Sequence, residues 1–310
     1  MKNLLVSVVV PVYNEQENIQ PFWEKLAKTI SKYQNEVIFV DDGSTDNSNT
    51  ILKNLCQKNK NIKLVSFVRN FGHQMALFAG YEKAKGDVII SLDADLQDPP
   101  ELIDEMIKKW QNGAKIVYAK RIERQGESFF KKITAQLFYQ LINFLSDVEI
   151  PQNVGDFRLI DRQVLDYLKN LKERPEFLRG LVAWPGYQTD YVYFKREKRL
   201  SGKTHYSLSK MINLALQGIT SFSTKPLRLS TYFGFLVSSF AIFSIVYKTI
   251  QHFVFKQGDW LPGWASLFFS IVFLGGIQLI MIGIIGEYLA KIYHEVQNRP
   301  RYLIKEEINF

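Results

Sequence analysis

The sequence predicts an α/β domain with a mostly parallel sheet, followed by a hairpin of two membrane-spanning helices. Over residues 1 to about 120, short β-rich runs alternate with amphipathic helical patterns, which is typical of a parallel sheet with helices on both faces. Two uncharged apolar runs, residues 229–247 and 260–286, are each long enough to cross a bilayer as a helix. Acidic clusters follow the predicted strands, where ligands of such sheets bind.

The elements of the α/β part follow from hydrophobic periodicity, since alternation indicates strands and a repeat of 3.6 residues indicates helices. Each strand is short and rich in valine and isoleucine, and each helix presents one apolar stripe. The predicted strands are residues 5–12, 37–40, 62–67, 88–92 and 115–119, and the predicted helices are residues 17–33, 46–59, 72–84 and 99–110.

The sequence also predicts a division into domains. We expect a catalytic domain over residues 1–204, including an amphipathic helix at about 129–146, and a juxtamembrane amphipathic helix over 205–226. Both amphipathic helices either pack in a core or lie in the membrane interface near the active site. The membrane region is predicted over 227–290, with spans at about 229–250 and 262–288, and residues 291–310 form a basic cytoplasmic tail.

The net charge of +8 is concentrated next to the predicted membrane hairpin. Residues 195–228 contain eight basic residues and a single acid, Glu197. Because basic residues flank the outer ends of the hairpin, the positive-inside rule places both chain ends in the cytoplasm, in a multi-pass protein of the cytoplasmic (inner) membrane. The basic segment favours lipid phosphates as partners over nucleic acid, because membrane spans follow it directly. The single cysteine, Cys56, excludes an internal disulfide.

Paired aspartates follow two of the predicted strands. Asp41 and Asp42 end the second strand, and Asp93 and Asp95 end the fourth. Alternation directs the side chains of Asp93 and Asp95 to the same side of an extended strand. Carboxylate oxygens suit hard cations, so this pair predicts a site for Mg²⁺ or Mn²⁺ that neutralises charge on a diphosphate.

Two further aspartates are predicted to cap helices. Asp98 precedes Pro99 and Glu101, an arrangement typical of a helix N-terminus. Asp46 stands at the predicted start of the second helix. Both are therefore interpreted as structural residues.

Four blocks carry a resemblance to a known family: VVVPVYNE, VDDGSTD, RNFGH and SLDADLQDPP, in this order. The chain resembles the inverting GT-A glycosyltransferases of family 2, in particular the dolichyl- and polyprenyl-phosphate hexose synthases. The resemblance covers the whole predicted catalytic domain and implies a GT-A nucleotide-sugar-binding fold. It assigns Pro11, Tyr13 and Glu15 to the nucleoside pocket, Asp41 or Asp42 to the base or ribose, and Asp93 and Asp95 to the metal and diphosphate.

The resemblance extends to two later segments. GDFRL (155–159) matches an acidic motif of the family, which places Asp156 near the acceptor, either as a base or as a group that positions a substrate. Asp156 and Asp95 are therefore the predicted catalytic residues. Arg199 and Lys203 match a basic loop that would clamp donor and acceptor phosphates. The chain departs from the family at His73, where lysine is common, and at Thr204-His205-Tyr206, where Ser-Lys-Tyr is common.

The function expected from the resemblance is the metal-dependent, inverting transfer of a hexose to a polyprenyl phosphate. Glucose from UDP-glucose is the favoured donor group, and GDP-mannose, UDP-N-acetylglucosamine or a modified pentose donor are alternatives within the same reaction. Two hypotheses of other classes are a non-catalytic membrane scaffold and a subunit of a transporter, and the second conflicts with the absence of charge inside the two apolar runs. Assembly into a homo-oligomer is compatible with all of them.

Overall fold

The computed structural model describes residues 4–122, 151, 154–171, 173, 177–195, 220–253 and 263–310. The chain forms two compact units. The first contains the sheet and takes in the C-terminal residues Pro300–Phe310, and the second is formed mainly by Gly218–Arg299. The strands are β1 (Leu5–Val12), β2 (Gln34–Asp41), β3 (Ile62–Phe67), β4 (Val88–Ser91), β5 (Ile116–Arg121), β6 (Val154–Asp161), β7 (Thr189–Phe194) and β8 (Ile304–Ile308).

The described helices agree with the predicted alternation in the first part of the chain. Each predicted helix between β1 and β5 is present, with ends that differ by a few residues. They are α1 (Ile19–Ile30), α2 (Ser48–Lys58), α3 (His73–Lys83), a 3₁₀ helix (Pro100–Leu102), α4 (Ile103–Gln111), α5 (Arg162–Asn170), α6 (Leu178–Ala183), α7 (Lys225–Phe253) and α8 (Trp264–Val296).

The eight strands form one sheet in the order β7-β5-β6-β4-β1-β2-β3-β8. Its centre is parallel, with β1 paired to both β2 and β4, and β2 paired to β3. Strand β6 runs antiparallel to β4 and β5. The prediction of a mixed α/β domain with a mostly parallel sheet is confirmed, and the parallel strands bring the loops after β1, β2 and β4 to one edge.

Helices cover both faces of the central strands. On one face, the inward residues of β1 meet a stripe of α1 that contains Phe22 and Leu26, all of them buried. On the other face, α3 lies very close to the sheet, because a Cβ atom on Gly80 would lie 2.2 Å from Cγ1 of Val9. Glycine at position 80 therefore allows α3 to approach β1 and β2 closely.

Strand β8 was not predicted, because residues 291–310 were expected to form a tail. In the structure β8 pairs antiparallel with β3 and covers that edge of the sheet. Its sequence, IKEEI, has three charged residues in the middle, a composition that suits an exposed edge strand and hides the strand from a hydrophobicity pattern. Only the partner strand distinguishes this segment from a solvated tail.

Neither of the two predicted caps occupies an N-cap position. Asn47 is the N-cap residue of α2, and no side chain caps that helix; the Asp46 carboxylate accepts a hydrogen bond from the backbone N–H of Ser48, the first residue of α2, at 2.9 Å. The prediction for Asp98 is wrong, since Pro99 occupies the N-cap position and no side chain caps the 3₁₀ helix. The Asp98 side chain instead turns inward, is buried, and lies 3.5 Å from the Arg121 guanidinium.

Helices α7 and α8 are long and apolar enough to cross a membrane over Lys225–Ser244 and Ser270–Val296. Within this unit, the hydroxyl of Tyr288 donates to the carbonyl of Ser223 at 2.6 Å. Residues 220–222 are helical, and the helix is interrupted at 223–224. Of the predicted juxtamembrane helix only 220–226 is described, and the predicted helix at 129–146 lies outside the described residues.

Glu36 lies in a buried polar network on β2. Its Oε1 atom accepts hydrogen bonds from the Ser7 hydroxyl at 2.5 Å and from the Lys85 backbone N–H at 2.6 Å. Its Oε2 atom lies 2.6 Å from Nζ of Lys63, and both side chains of this ion pair are largely buried. Burial by itself raises the pKa of Glu36, but the hydrogen bonds from Lys63, Ser7 and Lys85 outweigh it, so the pKa lies below its usual 4.5.

Substitution Glu36→Gln is expected to lower the free energy of unfolding at neutral pH and to have less effect in acid. Because the pKa is lower in the folded than in the unfolded chain, ionised Glu36 stabilises the fold above the unfolded pKa, and this contribution is lost as the pH falls through the folded value. We expect a loss of about 2 kcal/mol near neutral pH that shrinks towards pH 3. Denaturant titrations of detergent-solubilised protein at several pH values measure it. The exposed Asp166→Asn serves as control, and an equal loss in both variants contradicts the prediction.

Candidate active site

The loops that follow β1 and β2 are locked together by side chains. Asn14, which has a positive φ of 55°, accepts a hydrogen bond from the backbone N–H of Thr45 at 2.8 Å. The backbone N–H of Glu15 donates to the hydroxyl of Ser48 at 2.9 Å. Tyr13 is exposed at the tip of the first loop, and Pro11 is buried within β1. The predicted nucleoside-pocket residues thus lie in or beside loops that are joined by hydrogen bonds at one edge of the sheet.

Asp41 and Asp42 hold neighbouring loops. Asp41 is buried and accepts hydrogen bonds from the backbone N–H of Ser44 at 3.0 Å and the side-chain amide of Asn49 at 2.7 Å. Asp42 accepts from the backbone N–H groups of Phe71 at 2.6 Å and Gly72 at 2.9 Å. Asp42 therefore fixes the loop between β3 and α3, and contact of either aspartate with a base or ribose stays a prediction.

Asp93 and Asp95 follow β4 at the same edge. The Asp93 side chain is 34% exposed, whereas Asp95 is buried and accepts a hydrogen bond from the backbone N–H of Gln97 at 3.1 Å. Burial raises the pKa of Asp93, His73 opposes this, and the charges of Asp156 and Asp95 raise it further. Three carboxylates within electrostatic reach repel one another, and a cation among them would relieve that repulsion.

The residues present fit a hard divalent cation. Among the described residues, no three His, Cys, Asp or Glu side chains form a metal-binding group. A cation held by Asp93 and Asp95 would therefore complete its coordination with water and phosphate oxygens, which is the usual arrangement for Mg²⁺. The all-oxygen donor set also suits Mn²⁺.

Asp156 is the centre of a dense charged cluster. This residue lies on β6 and is buried. Its carboxylate accepts hydrogen bonds from Arg158 at 2.5 Å and from two guanidinium nitrogens of Arg179, at 2.9 and 3.1 Å. Nε2 of His73 lies 3.1 Å from the same carboxylate, and the Gln74 side-chain amide donates to it at 3.4 Å.

The electrostatics of this cluster keep Asp156 ionised. Desolvation raises its pKa, but the charge of Arg179, the hydrogen bond with His73 and the charge of Arg158 together hold the pKa well below its usual 3.8. Desolvation lowers the pKa of His73, but Asp93 and Asp156 outweigh this and raise it to about 9. This pKa favours the protonated form of His73, whose ring lies between Asp93, a predicted metal ligand, at 3.7 Å, and Asp156.

Sequence reasoning did not identify several members of this cluster. Arg158 could have been predicted from the sequence, because strand alternation directs residues 156 and 158 to the same face. His73 was noted only as a departure from the family, and Gln74 not at all. Arg179 stands 23 residues from Asp156, and no sequence pattern links the two. The predicted phosphate-binding residues Arg199 and Lys203 lie outside the described residues.

Paired aspartates at one edge of an α/β sheet, with a charged cluster beside them, are the arrangement expected from the resemblance to glycosyltransferases. A model of glycosyl transferase family 2 matches residues 7–168, which include the strand-end aspartates and Asp156. A model of the GtrB C-terminal hairpin matches residues 225–292. The chain belongs to glycosyl transferase family 2, and its C-terminal helices are a GtrB-type hairpin.

Similar proteins match nearly the full length. The SfII prophage-derived bactoprenol glucosyl transferase of Shigella flexneri is 45% identical over 303 residues, covering 97% of each chain. An uncharacterized glycosyltransferase of Synechocystis sp. is 46% identical over 307 residues, covering 97% of this chain and 95% of the other. A solved mannosyltransferase of Pyrobaculum calidifontis, in complex with GDP-Man and Mn²⁺, is 16% identical with a TM-score of 0.49 and covers 70% of this chain and 63% of its own.

Substitution Asp156→Asn is expected to destabilise the fold as well as the site. It leaves the fully buried Arg158 without its counter-charge, which costs about 3 to 5 kcal/mol. The double variant Asp156→Asn/Arg158→Met removes the buried charge, so we expect most of the stability to return while transferase activity does not. Thermal unfolding and activity are measured on the same preparations. A single variant as stable as the wild type would show that the pair is not a structural support.

Proposed function

We propose that this glycosyltransferase transfers glucose from UDP-glucose to a polyprenyl phosphate, with inversion at the anomeric carbon and with Mg²⁺ or Mn²⁺ bound. The observation that carries the proposal is the 45% identity, over 97% of both chains, to a protein named bactoprenol glucosyl transferase. That similarity spans the sheet, the site and the helical hairpin together. The arrangement of carboxylates and cations at the sheet edge supports it with a chemical rationale.

On the donor side, the interlocked loops after β1 and β2 hold the nucleoside, with Tyr13 exposed beside it. Asp93 and Asp95 would hold the cation, whose charge would stabilise the departing diphosphate. In the transfer, a phosphate oxygen of the acceptor attacks the anomeric carbon from the side opposite the diphosphate. The bond to the diphosphate breaks as the new bond forms, and the nucleoside diphosphate leaves.

On the acceptor side, Asp156 acts as a positioning group rather than a general base. Its carboxylate receives hydrogen bonds from both Arg158 and Arg179, and its pKa is held far below neutral, so it has little tendency to accept a proton. A lipid phosphate is already ionised at neutral pH and needs no base. Asp156 therefore orients His73 and Arg179 towards the reacting phosphates, and placement of the reactants supplies the rate enhancement.

The strand order of the sheet constrains how the chain crosses the membrane. Strands β1 to β7 precede α7 in the sequence and β8 follows α8, yet all eight belong to one sheet. The chain therefore leaves the sheet and returns to it, which requires an even number of membrane crossings. Two spans satisfy this condition, and the flanking basic residues favour the cytoplasmic side for the sheet.

Donor selectivity is tested by isothermal titration of purified protein with UDP-glucose and GDP-mannose, each with and without Mn²⁺. We expect metal-dependent binding of UDP-glucose, weakened more than about tenfold in Asp95→Ala because one of two cation ligands is removed. Asp166→Asn, which replaces an acidic residue outside the site, should bind as the wild type does.

The lipid acceptor is tested by a transfer assay, in which labelled glucose should pass into the organic phase when polyprenyl phosphate is added. If the label stays in the aqueous phase with wild-type protein, the proposed lipid acceptor is rejected. Retention of full activity in Asp95→Ala would favour a metal-independent mechanism.

The orientation is tested by maleimide labelling of intact cells. Cys56 is buried, so the wild type should give little background. We expect Asp259→Cys, in the connection between the two spans, to react from outside, and Asp166→Cys in the catalytic unit to react only after permeabilisation. Labelling of Asp166→Cys in intact cells would place the catalytic unit on the external side.

A further inference from the structure

A row of aromatic rings links the C-terminal segment to the loop between β3 and α3. The ring of Tyr302 stacks on Phe67 with centroids 4.9 Å apart. Phe67 and Phe71 pack in a T-shaped arrangement with ring centroids 5.7 Å apart. The guanidinium of Arg69 lies 4.1 Å above the Phe71 ring and ends the row. These contacts connect residue 302, which follows the second apolar helix, with residues 69–71 of the candidate site.

Residues 301–303 also make hydrogen bonds and a cation–π contact with other parts of the chain. The Tyr302 hydroxyl donates a hydrogen bond to Glu82 of α3. Arg301 donates to the carbonyls of Leu171 at 2.7 Å and Glu173 at 2.9 Å, and its guanidinium lies 4.8 Å from the ring centroid of Phe78. The neighbouring carbonyl of Leu303 accepts from the backbone N–H of Val68 at 3.1 Å and so extends the pairing of β8 beyond β3.

The loop that this row supports serves both halves of the site. Its backbone N–H groups at Phe71 and Gly72 hold the Asp42 carboxylate. The next residue, His73, reaches Asp93 and Asp156. In addition, Gly43 packs against its backbone so closely that a Cβ atom would lie 2.4 Å from the carbonyl carbon of Arg69. A displacement of Phe71 would therefore move groups on the donor side and the acceptor side together.

We infer that Tyr302 is a positioning residue for the transfer reaction. Its ring holds Phe67 and Phe71 in place, so the segment that follows the membrane hairpin completes the support of the β3–α3 loop. No predicted site residue lies in this segment, and its role depends on the ring rather than on the hydroxyl, which faces away towards Glu82. The inference rests on the proposed function only in taking UDP-glucose as the donor.

The test uses the full-length protein in detergent with Tyr302→Ala and Tyr302→Phe. Loss of one aromatic pair corresponds to a change of about threefold to tenfold in an equilibrium constant. In Tyr302→Ala we expect the amide hydrogens of Phe71 and Gly72 to exchange faster by this factor, and the Kd and KM for UDP-glucose with Mn²⁺ to rise by it. Tyr302→Phe keeps the ring and should restore both. If Tyr302→Ala does not fold, Tyr302→Leu keeps the apolar volume without the ring and replaces it.

A control at the far end of β8 separates positioning from general loosening. Asn309→Ala removes the hydrogen bonds that its amide donates to the carbonyls of Cys56 and Ile62, both 2.8 Å long, and should leave exchange at Phe71 and the donor Kd unchanged. The inference is overturned if Asn309→Ala reproduces the effect, or if Tyr302→Ala matches the wild type in both measurements. If the wild type does not bind UDP-glucose but the exchange pattern appears, the proposed donor fails and the positioning role stands.

Discussion

The pairing of Asp156 with Arg158 is the interaction on which the rest of the site depends. A guanidinium with no exposed surface is very costly unless an opposite charge lies beside it, and Asp156 supplies that charge from two residues away on the same strand. The same carboxylate then receives Arg179 from α6 and His73 from the start of α3. One buried charge pair therefore fixes the relative positions of β6, α3 and α6 where the acceptor is proposed to bind.

On the donor side, Asp42 is also a buried carboxylate that joins two elements, but its partners are uncharged. Its buried carboxylate is stabilised by two backbone N–H groups of the β3–α3 loop, and these bonds oppose the increase in pKa that burial causes. Asp42 and Asp156 thus serve as internal supports. Asp93, by contrast, is partly exposed, and the negative charges of Asp156 and Asp95 raise its pKa against the opposing effect of His73, which suits a carboxylate predicted to bind a cation. Carboxylates with similar local sequence context therefore differ in role because their hydrogen-bond partners differ.

The segment that follows the helical hairpin contributes a strand to the sheet. After α8 the chain returns and adds β8 to the edge formed by β3, where salt bridges from Lys53 to Glu306 and from Lys83 to Glu307 hold it. An unpaired edge strand tends to associate with other chains, and β8 prevents this for β3. Because β3 leads directly into the β3–α3 loop, the strand that protects the edge also stabilises the loop that holds Asp42.

The sequence by itself determined the alternation of strands and helices, the two apolar helices and the position of the strand-end aspartates, because these features depend on local periodicity and on the rule that parallel strands end at one edge. It also pointed to Asp156 through a family motif. Only the tertiary structure decided that Asp98 turns inward to Arg121 instead of capping a helix, that Arg179 meets Asp156, and that residues 304–308 form a strand. In each case the deciding partner is distant in the chain, and the free energy of pairing a buried charge or an edge strand depends on that partner rather than on neighbouring residues.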